Sequence, residues 1–181
     1  MPRIRPINEK TADPVATEIL EMVRKKMGSI PNLITTMVNS PAVARAYLGF
    51  SQALSTGNLP PRLREQIALL VGEANNCEYC VAAHTVLGKG AGLSEEETRN
   101  ARMGFSSDRK ERAVIEFARQ VVYQRGKVSD EDVEQVRTAG YTDGEISEIV
   151  ANVVLNVFTN YFNLVAGTEV DFPAAPTLAT A

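Results

Sequence analysis

The sequence predicts an all-α protein, and three observations carry that prediction. Helix start and stop signals recur along almost the whole chain, sustained period-two alternation of apolar and polar residues is missing, and 44% apolar against 23% charged residues leaves material for a sizeable core. At 181 residues one domain is expected, spanning 1–171, with 172–181 as a loose or partner-docked tail. Eight to nine helices follow from the signals. Asp13-Pro14 is a cap with a first-turn proline; Val15, Ile19, Met22 and Val23 form an apolar stripe, and Gly28 ends it. Ser40-Pro41 repeats the device for a helix carrying Val43, Tyr47, Phe50 and Leu54 that stops at Gly57. Pro60-Pro61 opens a third running to about Asn75, and Asn75 or Asn76 caps a fourth.

Ser94 with Glu97, Asp108 with Glu111 and Ser129 with Asp132 each resemble a capping box, with Gly104, Gly126 and Gly140 as matching stops. Thr142 with Glu145 opens the last and longest helix, dominated by residues such as Ile146, Ile149, Val153, Val157, Phe158 and Tyr161. Its uncharged run from Ile149 to Thr168 approaches membrane-spanning length, but Asn152, Asn156, Thr159, Asn160 and Asn163 interrupt it. A buried helix is expected there, and no membrane partner.

Net charge excludes other classes. With 19 Lys+Arg against 22 Asp+Glu the chain carries -3, and no basic cluster is present to neutralise a run of phosphates, so nucleic acid is not an expected partner. Met1-Pro-Arg-Ile-Arg-Pro6 lacks the apolar stretch of a secretory signal, so a cytoplasmic protein is expected. The glycines of Gly88-Lys-Gly90-Ala-Gly92 read as a helix stop, and no nucleotide- or flavin-binding motif appears.

Chemistry gathers between Glu65 and His84. The only two cysteines, Cys77 and Cys80, are too few for a disulfide scaffold and spaced as a redox pair or as metal ligands. At 100° per residue, Cys77, Cys80 and His84 fall within about 60° of one another on one helix face. Cys80 and His84 are an i,i+4 pair, so the imidazole can reach the thiol directly or through one water and hold it as a thiolate. Both cysteines lie in the first turn, where free N–H groups and the helix dipole favour charge on sulfur. A two-residue gap lets the sulfurs close into a disulfide, so that Cys77 can resolve an oxidised Cys80. Glu65 lies off the main apolar stripe of its helix (Leu63, Ile67, Leu70, Val71, Ala74), on a face with Ala68, Leu69 and Gly72. It is either poorly solvated and suited to pass a proton through His84, or a plain surface glutamate. Glu73 and Glu78 read as cap-region carboxylates.

Blander readings compete with each of these. A free cysteine is often a small buried hydrophobe, and a structural zinc site would need a third cysteine or second histidine that the chain lacks. The amide stripe Asn152, Asn156, Thr159 and Asn163 either lines a pocket or bonds between helices, the second being the commoner use.

Glu65 followed by Cys77-Glu-Tyr-Cys80-Val-Ala-Ala-His84 resembles the signature of the alkylhydroperoxidase AhpD-like proteins of the carboxymuconolactone decarboxylase superfamily. The run from about Pro60 to Gly92 resembles that core domain, and Asn156-Val-Phe-Thr-Asn-Tyr-Phe-Asn163 with Thr168-Glu-Val-Asp-Phe-Pro173 resembles the ending of its uncharacterised peroxidase-related branch. The resemblance implies an AhpD-like helical fold with Cys-x-x-Cys at the N-terminus of a central helix, assembled as a homo-oligomer, a trimer or hexamer. It implies an antioxidant peroxidase acting on organic hydroperoxides without a cofactor or metal. Cys80 would become the sulfenic acid, Cys77 would resolve it and meet the external thiol or dithiol reductant protein, and Glu65 and His84 would relay protons. Well-described members carry a second histidine just before the attacking cysteine, where this chain has Tyr79, a poor base near neutral pH. Two rival activities stand beside this one: a non-catalytic redox sensor or disulfide-exchange protein, and a lactone-decarboxylating lyase using His84 or Glu65.

Overall fold

The computed structural model describes residues 1–178; residues 179–181 at the end of the expected tail lie outside the described residues. Nine α-helices and no strand occur among the described residues: α1 (Pro14–Met27), α2 (Asn32–Met37), α3 (Pro41–Ser55), α4 (Pro61–Ala74), α5 (Glu78–Gly90), α6 (Glu95–Arg102), α7 (Arg109–Tyr123), α8 (Asp130–Thr138) and α9 (Asp143–Ala166). A single 3-10 turn, Glu9–Thr11, precedes them.

Most starts fall where local chemistry puts them. Asp13 accepts from the amides of Val15 and Ala16 to begin α1, with Pro14 in its first turn. Ser94, Ser129 and Thr142 make reciprocal capping boxes with Glu97, Asp132 and Glu145. The Asp108 box is only half formed. Asp108 caps α7, but the Glu111 carboxylate turns away to accept from Arg62, Gln66 and Ser106, which ties α7 to α4. The short α2, opened by Pro31 without a side-chain cap, carried no sequence signal strong enough to announce it.

Helix α4 is the hub. Leu63, Ile67, Leu70 and Val71 face one core with Val114, Ile115 and Ala118 of α7 and Ile149 and Val153 of α9. A second core gathers Ile19, Leu20 and Val23 of α1, Leu33, Ile34 and Met37 of α2, and Cys77, Tyr79, Cys80 and Ala83 around α5. Because α4 is covered on nearly every side, Ala68, Leu69 and Gly72 are buried as well, and the face that carries Glu65 is not a solvent face.

Helix α9 departs from expectation. It is long and apolar enough by length and composition to cross a membrane, yet 44% of its most apolar stretch is buried within the fold, so it is a half-covered helix and not a fully buried one. Its amide residues Asn152, Asn156, Asn160 and Asn163 point inward, while Val150, Val154, Phe158, Tyr161, Leu164 and Val165 are exposed. The inward face is mixed: Ile146, Ile149 and Val153 pack into the core, Asn152, Asn156 and Asn163 line a cavity, and Asn160 accepts from Asn75 at 2.9 Å. Residues near both termini pack on this scaffold, with Arg3 donating to the Val165 carbonyl at 2.7 Å and Phe172 set edge-on to Tyr79 at 5.7 Å between ring centres.

Close approach of α4 and α5 is tightest at Gly72, with Gly88 packed against the loop that follows α5. A Cβ on Gly72 would lie 3.3 Å from Val81 Cγ2 and 3.5 Å from Cys80 Cβ, and one on Gly88 would lie 3.6 Å from Glu65 Cβ and 3.0 Å from Leu93 Cδ1. Gly72→Val is therefore expected to push the helices apart and cost about 1–3 kcal/mol of stability, read as a lowered urea midpoint.

Candidate active site

The α4–α5 turn sets the site. Helix α4 ends at Ala74, Asn75 closes it, and Asn76 takes a left-handed conformation (φ 53°) that asparagine tolerates better than most residues. The Cys77 amide then returns to the Gly72 carbonyl at 2.9 Å. Neither asparagine caps α5, contrary to expectation. Cys77 does so itself, its Sγ accepting from the Cys80 amide at 3.3 Å. The asparagines are consumed in reversing the chain, which leaves the first cysteine at the cap and the second at the third helical position.

Cys77 and Cys80 form a disulfide with Cα atoms 5.3 Å apart. Both are buried, at 1% and 3% exposure, but only Cys80 lies on the wall of the main cavity, a space of about 340 Å³ bounded by α1, α2, α3, α4, α5 and α9. Glu65 and His84 share that wall. Glu65 Oε2 lies 2.8 Å from His84 Nδ1, each side chain 21% exposed, so the surface-glutamate alternative is replaced by a partly buried carboxylate–imidazole pair. Such a bond fixes the ring's orientation and leaves its other nitrogen for a reacting group. Glu73 bonds Arg102 at 2.8 Å, away from this pair.

No direct hydrogen bond joins Cys80 and His84 in this disulfide form. Among the described residues, the hydrogen bond to Cys80 Sγ comes from Asn163 Nδ2 at 3.4 Å. Asn152, Asn156, Thr159 and Asn163 all line the cavity, so the amide stripe takes the pocket-lining role judged the less common of its two. Tyr47 was read only as part of an apolar stripe, yet its phenol is pushed up to about 12, by burial and then by the Glu65 carboxylate. Leucines 33, 48, 54, 87 and 155 with Phe172 supply the apolar lining.

Tyr79 serves the scaffold. Its hydroxyl accepts from the Leu33 amide at 3.1 Å, which anchors the start of α2, and Asp171 beside it accepts from the Asn32 amide at 2.7 Å. Burial, reinforced by that carboxylate, holds the phenol far above its usual range, so it is no base at any ordinary pH. Among the described residues no group of three or more His, Cys, Asp or Glu side chains is placed to hold a metal ion.

The sequence model of the Carboxymuconolactone decarboxylase family matches residues 41–120, the stretch that holds the Cys-x-x-Cys turn, Glu65 and His84. In overall fold the chain is similar to an uncharacterized peroxidase-related protein with an alkylhydroperoxidase AhpD core from Ralstonia eutropha JMP134 (TM-score 0.85, 23% identity, covering 94% of this chain and 92% of that one). The chain has the AhpD-like fold, and residues 41–120 are similar to the carboxymuconolactone decarboxylase family. Two further AhpD-like neighbours differ in what they are said to do. One is a peroxidase-related protein from Silicibacter sp. TM1040 (TM-score 0.77, 22% identity, 92% of each chain). The other is the debrominase Bmp8, solved as a cysteine-to-alanine variant with 2,3,4-tribromopyrrole (TM-score 0.79, 20% identity, 93% of this chain and 91% of that one). No curated protein matches the sequence.

Three phenols also fix an alkaline response. The folded state holds Tyr47 and Tyr141 at about 12 and Tyr79 higher, whereas an unfolded chain releases all its phenol protons near 10. Between these values the native chain binds more protons, so stability is full below about pH 10 and falls as pH climbs from about 10 toward 12. Phenolate absorbance at about pH 11 should show fewer ionised groups in the native protein than the five tyrosines titrated in denaturant.

Proposed function

We propose that this protein is a thiol peroxidase that reduces small organic hydroperoxides, with Cys80 as the attacking thiolate. One observation carries the reading: the member of the cysteine pair that faces the cavity shares its wall with a hydrogen-bonded Glu65–His84 pair. The cavity volume, about 340 Å³, falls at the small end of ligand sites, and its leucine-rich lining suits a short or ring-sized apolar group.

In the reduced protein, the Cys80 thiolate attacks the terminal oxygen of R–O–O–H. A sulfur–oxygen bond forms, the O–O bond breaks, and the leaving alkoxide takes a proton from His84, which Glu65 orients. The Cys77 thiolate, stabilised at the helix cap, then attacks the Cys80 sulfenic acid; the disulfide closes and hydroxide leaves with a proton as water. An external thiol reductant restores both thiols without a bound cofactor. Because Cys80 alone faces the cavity, a thiol entering there meets Cys80 and expels Cys77, which reverses the contact expected from the resemblance. The reducing supply this needs fits a cytoplasmic protein. The exposed apolar stripe of α9 supports assembly with further copies of the chain, since its area would otherwise meet water.

A second reading rests on the tribromopyrrole-bound debrominase that shares the fold. The same two electrons delivered to a carbon–bromine bond would put hydrogen on carbon and release bromide as the disulfide closes. Exposing the reduced protein in turn to an alkyl hydroperoxide and to a bromopyrrole separates the readings by peroxide loss or bromide release. Under the peroxidase reading Cys80→Ser loses turnover by on the order of a hundredfold or more, while Cys77→Ser forms a sulfenic acid that a dimedone probe traps by mass. One stoichiometric oxidation with no turnover under any reductant would instead mark a redox sensor. Glu65→Gln is expected to lower kcat about tenfold to a hundredfold with little change in KM, through loss of the oriented imidazole. Val154→Glu, on the exposed face of α9, should shift the sedimenting species toward the monomer.

A further inference from the structure

Three of the four polar residues that α9 turns toward the cavity are spent on their own helix. Asn152 Nδ2 donates to the Glu148 carbonyl at 2.8 Å, Asn156 Nδ2 to the Asn152 carbonyl at 2.8 Å, and the Thr159 hydroxyl to the Asn156 carbonyl at 3.0 Å. Asn163 breaks the pattern. Its Nδ2 crosses to Cys80 Sγ, the residue is 4% exposed, and its Oδ1 is buried with no hydrogen-bond partner. Native proteins keep few such atoms, because an amide oxygen removed from water without a donor is costly. A carboxamide that donates to the Cys80 sulfur at one end and has no partner at the other is short of one donor beside that sulfur.

We infer that Asn163 is a catalytic residue of this site, its Nδ2 holding Cys80 as a thiolate and its Oδ1 receiving the O–H of the hydroperoxide. The first half needs only the thiol; the second rests on the peroxidase reading. The two functions fit one amide group. As the Cys80 thiolate takes the terminal OH of R–O–O–H, the electron pair of the broken O–O bond leaves on the alkoxide and the hydroxyl hydrogen stays with the sulfenic acid. Oδ1 therefore keeps the same hydrogen bond from substrate to product. The site accordingly selects peroxides that carry an O–H and passes over dialkyl peroxides, which carry none.

The test begins without peroxide. In a Cys77→Ser background, serine preserving the helix cap, the Cys80 thiolate is titrated by its ultraviolet absorbance with and without Asn163→Leu. The other charged or titratable groups on the cavity wall, Lys26, Tyr47, Arg64, Glu65, Tyr79 and His84, are common to both proteins, so the difference reports Asn163. Loss of a hydrogen bond to charged sulfur should raise the thiol pKa by about one unit, roughly tenfold less thiolate at neutral pH. An unchanged pKa in a folded variant overturns the assignment. The unsubstituted side chain gives a second readout that does not depend on the variant folding. One asparagine side-chain amide pair in the nitrogen-15 NMR spectrum must titrate with the Cys80 thiol, and its absence overturns the assignment too. Sulfenic acid formation is then timed at a pH where Cys80 is ionised in both proteins. A remaining loss of about tenfold in Asn163→Leu supports the Oδ1 contact, and equal rates remove it. A protein that consumes no peroxide at all overturns the function proposed above and leaves the thiolate contact to stand or fall on the titrations.

Discussion

The close packing of α4 against α5 is the constraint on which the site depends. Glu65 and His84 sit on different helices, and neither residue does anything useful alone: an isolated carboxylate on a covered face is poorly solvated, and an isolated imidazole is free to rotate. The 2.8 Å contact between them spans the seam between α4 and α5, where Gly72 leaves room for the two helices to approach. The same seam brings Cys80 Cβ against Gly72, so the position of the sulfur and the orientation of the imidazole are set together. The left-handed Asn76 completes the arrangement by turning the chain in so few residues that Cys77 becomes the cap of the helix whose first turn holds Cys80.

The second organising feature is the inversion of α9. An amphipathic helix ordinarily turns its apolar stripe inward. Here part of the inward face carries amides that border a cavity beside a sulfur, and Asn152 and Asn156 satisfy their own donors on the preceding turn. That arrangement places polar atoms near the Cys80 sulfur, while leucines of α2, α3, α5 and α9 supply apolar lining beside them.

Much of the fold was legible because its helix boundaries are local events. Asp13, Ser94, Ser129 and Thr142 cap where their side chains can reach an amide two or three residues on, and no tertiary information is needed to see it. Departures arise where a distant partner competes. Glu111 had a cap to complete and bonded instead to Arg62, Gln66 and Ser106, which lie far from it in sequence or outside its helix. Periodicity could group Cys77, Cys80 and His84, which share one helix, but the partner of Cys80 lies 83 positions away on α9. The spacing of the α9 amides marked a face without saying what it faced, and Tyr47 looked like any other aromatic in an apolar stripe until Glu65 was set beside it.

Tyr79 shows how one substitution redistributes work. A histidine at this position would add a second titratable ring next to Cys80, whereas the phenol is given to the scaffold: it binds the Leu33 amide, packs on Phe172 and lies beside Asp171, whose carboxylate takes the Asn32 amide. The start of α2 and the segment after α9 are thus pinned over the cavity by the residue between the cysteines' helix cap and the sulfur that faces it. With one histidine in the entire chain, proton transfer near neutral pH has a single imidazole available, and that imidazole is committed at Nδ1 to Glu65. No hydrogen bond joins that imidazole to Cys80, and the amide of Asn163 is the side-chain donor that the fold sets against the sulfur.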